Sequence, residues 1–161
     1  CFNDYIEIFF SGNLKIVGAM LIVTGILLFL TKIIKPKNLQ ISKTDSLIIG
    51  ISQALAILPG ISRSGATIST SLFLGNSKSD SAKFSFLIVI PVIFGAILKD
   101  ILSGEVFGNE LEISSMIIGF FTSFIFGIIA CKWMLKIVKN NNLIYFSFYC
   151  FILGLLSIFI L

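Results

Sequence analysis

Long apolar runs alternate with short polar segments along the chain. They extend from about Leu14 to Ile34, Lys83 to Leu98, Ile113 to Met134 and Leu143 to Leu161. Roughly 17–25 predominantly apolar residues cross the hydrocarbon core of a bilayer as an α-helix. We therefore predict about four transmembrane helices. The second run contains Pro91, which is expected to kink it.

Charged residues between the runs predict the orientation of these helices. Lysines cluster around the end of the first run and around the end of the third, at Lys32, Lys35, Lys37, Lys43, Lys132, Lys136 and Lys139. The loop after the second run is acidic instead, with Glu105, Glu110 and Glu112. Because cytoplasmic loops carry an excess of lysine and arginine, the lysine-rich ends are predicted to face the cytoplasm.

Two shorter apolar pieces, Ser46 to Leu58 and Ser64 to Leu74, lie between the first and second runs. Each is too short to cross a bilayer, and a polar turn that begins with Pro59 and Gly60 joins them. Irregular backbone at membrane depth is tolerated only where it is buried in protein or lines a cavity. We therefore predict a re-entrant helical hairpin over about residues 46–75, which enters and leaves on the cytoplasmic side.

The composition supports one all-α polytopic membrane domain over residues 1–161. The 161 residues are 57% hydrophobic and 12% charged, and the mean hydropathy is +1.05. The net charge of +4 comes from lysines at the ends of apolar runs, which argues against nucleic-acid binding. The chain has no histidine, and its three cysteines lack metal-ligand spacing. We predict no metal-binding residues in this chain.

The turn between the two short pieces contains the candidate chemistry. Arg63 is the only arginine, whereas lysine supplies every other basic side chain, and no acidic residue occurs between Asp45 and Asp80. An arginine fork can bind phosphate through two hydrogen bonds. Glycines allow close backbone approach, and hydroxyl groups can bind phosphate oxygens or cap the following helix. The candidate anion-binding residues are Gly60, Ser62, Arg63, Ser64, Gly65 and Thr67.

Two other interpretations of this turn stay open at this point. The glycine- and serine-rich segment could be a helix-packing turn with Arg63 extending to the interface. Alternatively, the chain could be an anion or lipid transporter or channel, because secondary transporters bind anionic groups at the N-termini of broken helices.

The segment from Gln53 to Leu58, the following PGISRSGATIS, and the later Phe84-Ser85-Phe86-Leu87 and Ile90-Pro91 together resemble the undecaprenyl-diphosphate phosphatase family, the bacitracin-resistance type. The resemblance covers only the C-terminal part of that family's length. It implies a multi-pass protein of the bacterial plasma membrane, with two inverted repeats that each carry a re-entrant hairpin. The implied reaction converts undecaprenyl diphosphate to undecaprenyl phosphate, which recycles the lipid carrier for peptidoglycan synthesis and confers resistance to bacitracin.

The resemblance also assigns roles to residues of this chain. Arg63 and Ser62 are implied to be catalytic, with Ser62 either a phosphate ligand or the nucleophile. Gly60, Ser64, Gly65, Thr67 and Gln53 are implied to bind the substrate. A divalent cation, magnesium or calcium, would be held by glutamates of the family's first hairpin, which has no counterpart here. We therefore expect the chain alone to be inactive, and the sequence leaves open whether it forms a homodimer.

Overall fold

The computed structural model describes residues 14–34, 37–103, 113–140 and 142–159. Cys1, Lys35 and the acidic loop from Glu105 to Glu112 lie outside these ranges. The described helices are α1 (Leu14–Ile33), α2 (Lys43–Leu55), α3 (Arg63–Phe73), α4 (Lys78–Leu87), α5 (Val89–Ser103), α6 (Ile113–Lys139) and α7 (Leu143–Phe159). Within the described ranges there is no strand, only an isolated backbone bridge between Leu39 and Asn76.

Three helical segments of the described chain are long and apolar enough to cross a membrane. They are Leu14–Ile33, Lys78–Ser103 and Ser114–Lys139. The fourth predicted span corresponds to α7, which has 17 described residues, about the lower limit for crossing a bilayer. The prediction of an all-α polytopic membrane protein is confirmed.

Prolines determine where α2 and α4 end. Pro59 has no N–H to donate to the carbonyl of Leu55, and α2 ends at Leu55. Pro91 likewise cannot donate to the carbonyl of Leu87, where α4 ends, and Ile88 separates α4 from α5. The predicted second span is therefore two helices with a break one turn before the proline.

α2 and α3 form the predicted helical hairpin, since they pack against each other and are joined by the turn. α2 begins earlier than predicted, because Ser42 and Asp45 form a reciprocal capping box before it. α3 ends in a Schellman motif in which Gly75 adopts a φ of +91°. Backbone hydrogen bonds from Leu39 N to Gly75 O and from Ser77 N to Leu39 O close the base of the hairpin. Insertion of this hairpin into the membrane stays a prediction.

α3 is the central helix of the described structure. It packs against α1, α2 and α4, and its buried residues are Gly65, Ala66, Thr67, Ile68, Ser69, Ser71 and Leu72. Hydroxyl pairs join it to its neighbours: Thr67 to Ser85 at 2.6 Å and Ser71 to Ser81 at 2.8 Å on α4, and Thr70 to Ser52 at 3.0 Å on α2. Such interhelical hydrogen bonds and close packing hold membrane helices together, because lipid offers little hydrophobic driving force for association.

α1 and α7 pack closely along their length. A Cβ on Gly18 would lie 2.8 Å from the Gly154 carbonyl oxygen, and a Cβ on Gly154 would lie 2.8 Å from that of Gly18. Ser147 and Ser157 on α7 each donate a 2.7 Å hydrogen bond to a backbone carbonyl of α1. α1 is therefore held against α7 by polar contacts as well as by helix packing.

Candidate functional site

The turn between α2 and α3 is held against the backbone of α1. Gly60 has a φ of +94°, which side-chain-bearing residues rarely adopt. A Cβ on Gly60 would lie 2.5 Å from the carbonyl oxygen of Val17 and 2.9 Å from the Cβ of Met20. Glycine is therefore required here both by the backbone conformation and by the contact with α1.

Ser62 caps the N-terminus of α3. Its hydroxyl accepts a 3.1 Å hydrogen bond from the N–H of Gly65, and its carbonyl accepts a 2.8 Å bond from Ala66. The Ser62 and Ser64 hydroxyl oxygens lie 3.5 Å apart. Among the described residues, the N–H groups of Arg63 and Ser64 have no hydrogen-bond partner. The helix therefore presents two free donors and the positive end of its dipole at the turn.

Arg63 is the first residue of α3, and its side chain is exposed. Its guanidinium makes no hydrogen bond or ion pair with any other residue in the described parts of the chain. The flanking carboxylates are engaged elsewhere: Asp45 accepts from the Ser42 N–H at 2.9 Å, and Asp80 accepts from the Ser77 hydroxyl at 2.7 Å. Arg63 is therefore free to bind an anion.

The bonds from Ser42 also affect the ionisation of Asp45. The backbone N–H of Ser42, which donates to the carboxylate, and then the neighbouring Ser42 hydroxyl lower the pKa of the Asp45 carboxyl below its ordinary value, because both favour the ionised form. The ionised Asp45 side chain therefore caps the N-terminus of α2. It lies at the opposite end of that helix from the turn.

A cavity of about 430 Å³ opens beside the turn. Gly60, Ile61, Ser62, Ser64 and Gly65 line one side of it. The remaining lining residues come from α1, α6 and α7 and are mostly apolar: Leu21, Leu28, Met134, Leu143, Phe146, Tyr149 and Cys150. The cavity therefore combines an apolar wall with a polar edge at the N-terminus of α3, and its volume is typical of small-molecule sites.

The structure brings only some of the predicted site residues to this cavity. Gly60, Ser62, Ser64 and Gly65 line it, and Arg63 lies between two of them with an exposed side chain. Thr67 is 1% exposed, and its hydroxyl contacts Ser85 on α4. The structure thus places Thr67 at a helix interface, away from the lining of the cavity.

Gln53 is also absent from the cavity lining. Its side chain is buried on α2, and its Nε2 donates a long 3.4 Å hydrogen bond to the carbonyl of Ile88 at the break before α5. Its Oε1 has no hydrogen-bond partner among the described residues. The structure therefore places Gln53 between α2 and the α4–α5 break.

No divalent-cation site fits the described residues. Within residues 14–34, 37–103, 113–140 and 142–159, no group of three or more His, Cys, Asp or Glu side chains could hold a metal ion. The oxygen-rich ligand sets that magnesium and calcium require are thus not found at the turn. We therefore assign no catalytic step to a metal in this part of the chain.

Thr24 is a site residue that the sequence did not reveal. It is fully buried on α1, and its hydroxyl oxygen accepts a 3.1 Å hydrogen bond from the Ser62 N–H. The only signal in the sequence is a threonine inside an apolar run, which is also common where a hydroxyl bonds its own helix. Thr31 on the same helix shows that ordinary arrangement, with its hydroxyl bonded to Leu28 O at 2.6 Å.

Three similar proteins from different organisms carry the same name, undecaprenyl-diphosphatase. The undecaprenyl-diphosphatase of Christiangramia forsetii is 48% identical over 157 residues, covering 98% of this chain and 60% of the relative. That of Bacteroides fragilis is 47% identical over 161 residues, again covering 98% of this chain and 60% of the relative. That of Methanothermobacter thermautotrophicus is 45% identical over 164 residues, covering 96% of this chain and 88% of the relative.

The chain thus spans 60% of the length of the first two relatives. A family model described as bacitracin resistance protein BacA matches residues 1–156. This match covers nearly the whole chain and includes the turn, the capped N-terminus of α3 and the helices that enclose the cavity. The chain therefore belongs to the bacitracin resistance protein BacA family.

Proposed function

We propose that this chain contributes the phosphate-binding half of a membrane site that hydrolyses undecaprenyl diphosphate to undecaprenyl phosphate and inorganic phosphate. The proposal rests on the Arg63 guanidinium and the two N–H donors at the N-terminus of α3, which have no partner among the described residues and lie next to an apolar cavity. Family membership and the names of the relatives support the same reaction. The carrier lipid would then be recycled for peptidoglycan synthesis.

The geometry divides the substrate between two environments. The diphosphate would lie at the N-terminus of α3, where the N–H groups of Arg63 and Ser64 and the helix dipole favour an anion. The adjoining isoprenoid would lie against the apolar wall formed by residues such as Leu21, Phe146 and Tyr149. A site with one polar edge and one apolar wall suits a lipid diphosphate better than a small hydrophilic anion.

Arg63 would stabilise the negative charge that develops on the leaving and transferred oxygens. In phosphoryl transfer the protein acts mainly by positioning and by electrostatic stabilisation, and an arginine is a large contributor. Ser62 would act as a phosphate ligand, because its hydroxyl oxygen already accepts from Gly65 while its proton stays available to donate. A nucleophilic role would require an adjacent base, and among the described residues none contacts Ser62.

A magnesium or calcium cofactor is a further part of this proposal. No group of three or more described carboxylates could hold it, so at least some of its ligands would come from another part of the protein or from a second copy of this chain. Ligands from a second copy of this chain would require a homodimer. The bacterial plasma membrane, as a location, follows from the proposed substrate and the apolar helices.

The experiment is a phosphate-release assay with farnesyl diphosphate in detergent micelles. A phosphatase releases inorganic phosphate in micelles, whereas the alternative transporter or channel needs a sealed vesicle and leaves the diphosphate intact. The chain over residues 1–161 should be inactive alone and become active when co-expressed with the N-terminal segment of the Christiangramia forsetii relative. Transport of intact diphosphate without hydrolysis by that combination would overturn the proposal.

Turnover by the isolated chain is a separate outcome with its own meaning. It would show that an activating carboxylate reaches the turn within the chain or from a second copy. Measuring the mass of the active species by light scattering would distinguish these two sources.

A further inference from the structure

The hydroxyl of Thr24 bridges the backbone of the turn on both sides of Ile61. The Ser62 N–H donates to Thr24 Oγ1 at 3.1 Å, and the same oxygen lies 3.2 Å from the carbonyl oxygen of Gly60. It also lies 3.2 Å from the carbonyl oxygen of Met20 in its own helix. One buried side chain therefore contacts both the residue that makes the turn and the residue that caps α3.

The bond to the Ser62 N–H fixes the groups that face the cavity. Ser62 is the N-cap, so its backbone position decides where its hydroxyl and the free N–H groups of Arg63 and Ser64 point. A buried donor that loses its acceptor must move to find another or remain unsatisfied at a cost. Without the Thr24 hydroxyl, the Ser62 N–H loses its acceptor, and the backbone of the capping turn is expected to shift.

α1 is a suitable anchor for this bond. Gly60 packs directly on the α1 backbone at Val17, and Thr24 lies two turns further along the same face. α1 is held in turn by α7, through the Gly18–Gly154 contact and the bond from Ser147 to the Gly25 carbonyl. The position of the turn therefore depends on a helix that is itself packed against and hydrogen-bonded to α7.

We propose that Thr24 is a positioning residue that holds the Ser62 backbone, and with it the anion-binding N-terminus of α3, in the geometry needed for phosphate release. Thr24 does not itself contact the substrate, since it is fully buried and does not line the cavity. The inference rests on the proposed phosphatase function for its kinetic part. Its structural part, the bond between Thr24 and Ser62, can be tested without any activity.

The test compares Thr24→Val, Thr24→Ser and a matched control, Thr31→Val, in the same co-expressed combination that is used for the phosphate-release assay. Valine keeps the shape of threonine and removes the hydroxyl, whereas serine keeps the hydroxyl. Thr31 is 3% exposed on the same helix, and its hydroxyl bonds only Leu28 O. Thr31→Val therefore removes a buried hydroxyl without touching the turn.

We expect Thr24→Val to lower kcat/KM for farnesyl diphosphate roughly 10- to 100-fold, because small displacements of positioned groups have effects of that order. Thr24→Ser should stay within about threefold of the unsubstituted protein and Thr31→Val close to it, on the same reasoning. Equal losses in Thr24→Val and Thr24→Ser would overturn the proposal, since packing and not the hydroxyl would then matter. Full activity in Thr24→Val would also overturn it.

Hydrogen exchange provides the second readout. The Ser62 amide should exchange faster in Thr24→Val than in Thr24→Ser or Thr31→Val, while amides in the middle of α1 are unchanged in all three. Unchanged protection of the Ser62 amide in Thr24→Val would overturn the proposal whatever the kinetics show. If no variant, nor the unsubstituted protein, releases phosphate while the exchange pattern holds, the proposed function fails and the bond from Thr24 is upheld.

Discussion

The carbonyl oxygen of Val17 lies 2.5 Å from the point where a Cβ would sit on Gly60. This contact docks the turn of the α2–α3 hairpin onto α1, and it combines with a φ of +94° at Gly60. Backbone atoms cannot yield as a flexible side chain can. The contact therefore makes Gly60 a structural requirement of the turn as well as part of the cavity lining.

We predict that Gly60→Ala destabilises the protein by at least about 2 kcal/mol, because strained backbone costs about 1–3 kcal/mol and the Val17 contact adds to it. Gly50→Ala is the matched control, since nothing lies within 4 Å of a Cβ at that helical position. Alanine there should raise stability by up to about 1 kcal/mol through helix propensity. Thermal unfolding in detergent measures the stability of both variants. Equal effects of the two substitutions would contradict the contact between Gly60 and Val17.

A second prediction concerns the Thr67–Ser85 pair, whose hydroxyl oxygens lie 2.6 Å apart between α3 and α4. Thr67→Val and Ser85→Ala should each destabilise the protein, and the double variant should lose less than their sum. Coupling energies for such membrane pairs average about 0.6 kcal/mol and reach about 1.7 kcal/mol. Thr122→Val, which removes an exposed hydroxyl bonded only to its own helix at Ile118, should show no coupling with Ser85→Ala. Strict additivity of the Thr67 and Ser85 effects would indicate that the two side chains act independently.

Much of this fold could be predicted from hydropathy alone. The first apolar run predicts the C-terminus of α1 to within one residue, because a long apolar run with lysines near both ends allows little else. The sequence predicts two paired helices here because two apolar pieces too short to span a bilayer flank Pro59 and Gly60. The helix breaks follow from the missing N–H of proline, although the sequence did not show that α4 would end four residues before Pro91.

The side-chain partners in the site were less predictable. Hydroxyl groups serve equally well as ligands, helix caps and interhelical partners, so the sequence could not separate Ser62, which caps α3, from Thr67, which faces Ser85. The role of Thr24 depends on which face of α1 meets the turn. A uniformly apolar run carries no periodicity that would predict that face.

A third prediction separates the capping role of Ser62 from its role in turnover. Ser62→Ala and Ser77→Ala each remove an N-cap hydroxyl, the first bonded to Gly65 N at 3.1 Å and the second to Asp80 N at 3.2 Å. Each loss should cost about 0.5–2 kcal/mol of stability. Only Ser62→Ala should also slow phosphate release. The expected reduction is roughly 10- to 150-fold, because the substitution removes one hydrogen bond to the charged phosphate.

The remaining activity of Ser62→Ala distinguishes a ligand from a nucleophile. A ligand leaves measurable turnover, whereas loss of a nucleophile abolishes it. A Ser62→Ala protein that folds, binds farnesyl diphosphate normally and yet shows no turnover would establish the nucleophilic role against the one we propose. Normal turnover would instead restrict Ser62 to capping α3.

The last prediction is that Arg63→Lys fails nearly as badly as Arg63→Ala. Both should reduce phosphate release by roughly 100-fold or more, the order expected for an arginine that stabilises phosphoryl transfer. Arg63 has no protein partner among the described residues, so neither substitution leaves a broken ion pair behind. The loss can then be assigned to the anion. Lysine retains the charge but offers a point donor where the guanidinium offers a planar fork, and the two are not equivalent at a bidentate site.

Lys43→Ala, which removes an exposed charge at the far end of α2, is the control and should leave turnover unchanged. Phosphate release and the affinity for inorganic pyrophosphate should both be measured, because a fork that holds the diphosphate contributes to both. Turnover by Arg63→Lys equal to that of the unsubstituted protein would reduce the requirement to positive charge alone, and the presence of arginine in a chain that otherwise uses lysine would then need another explanation.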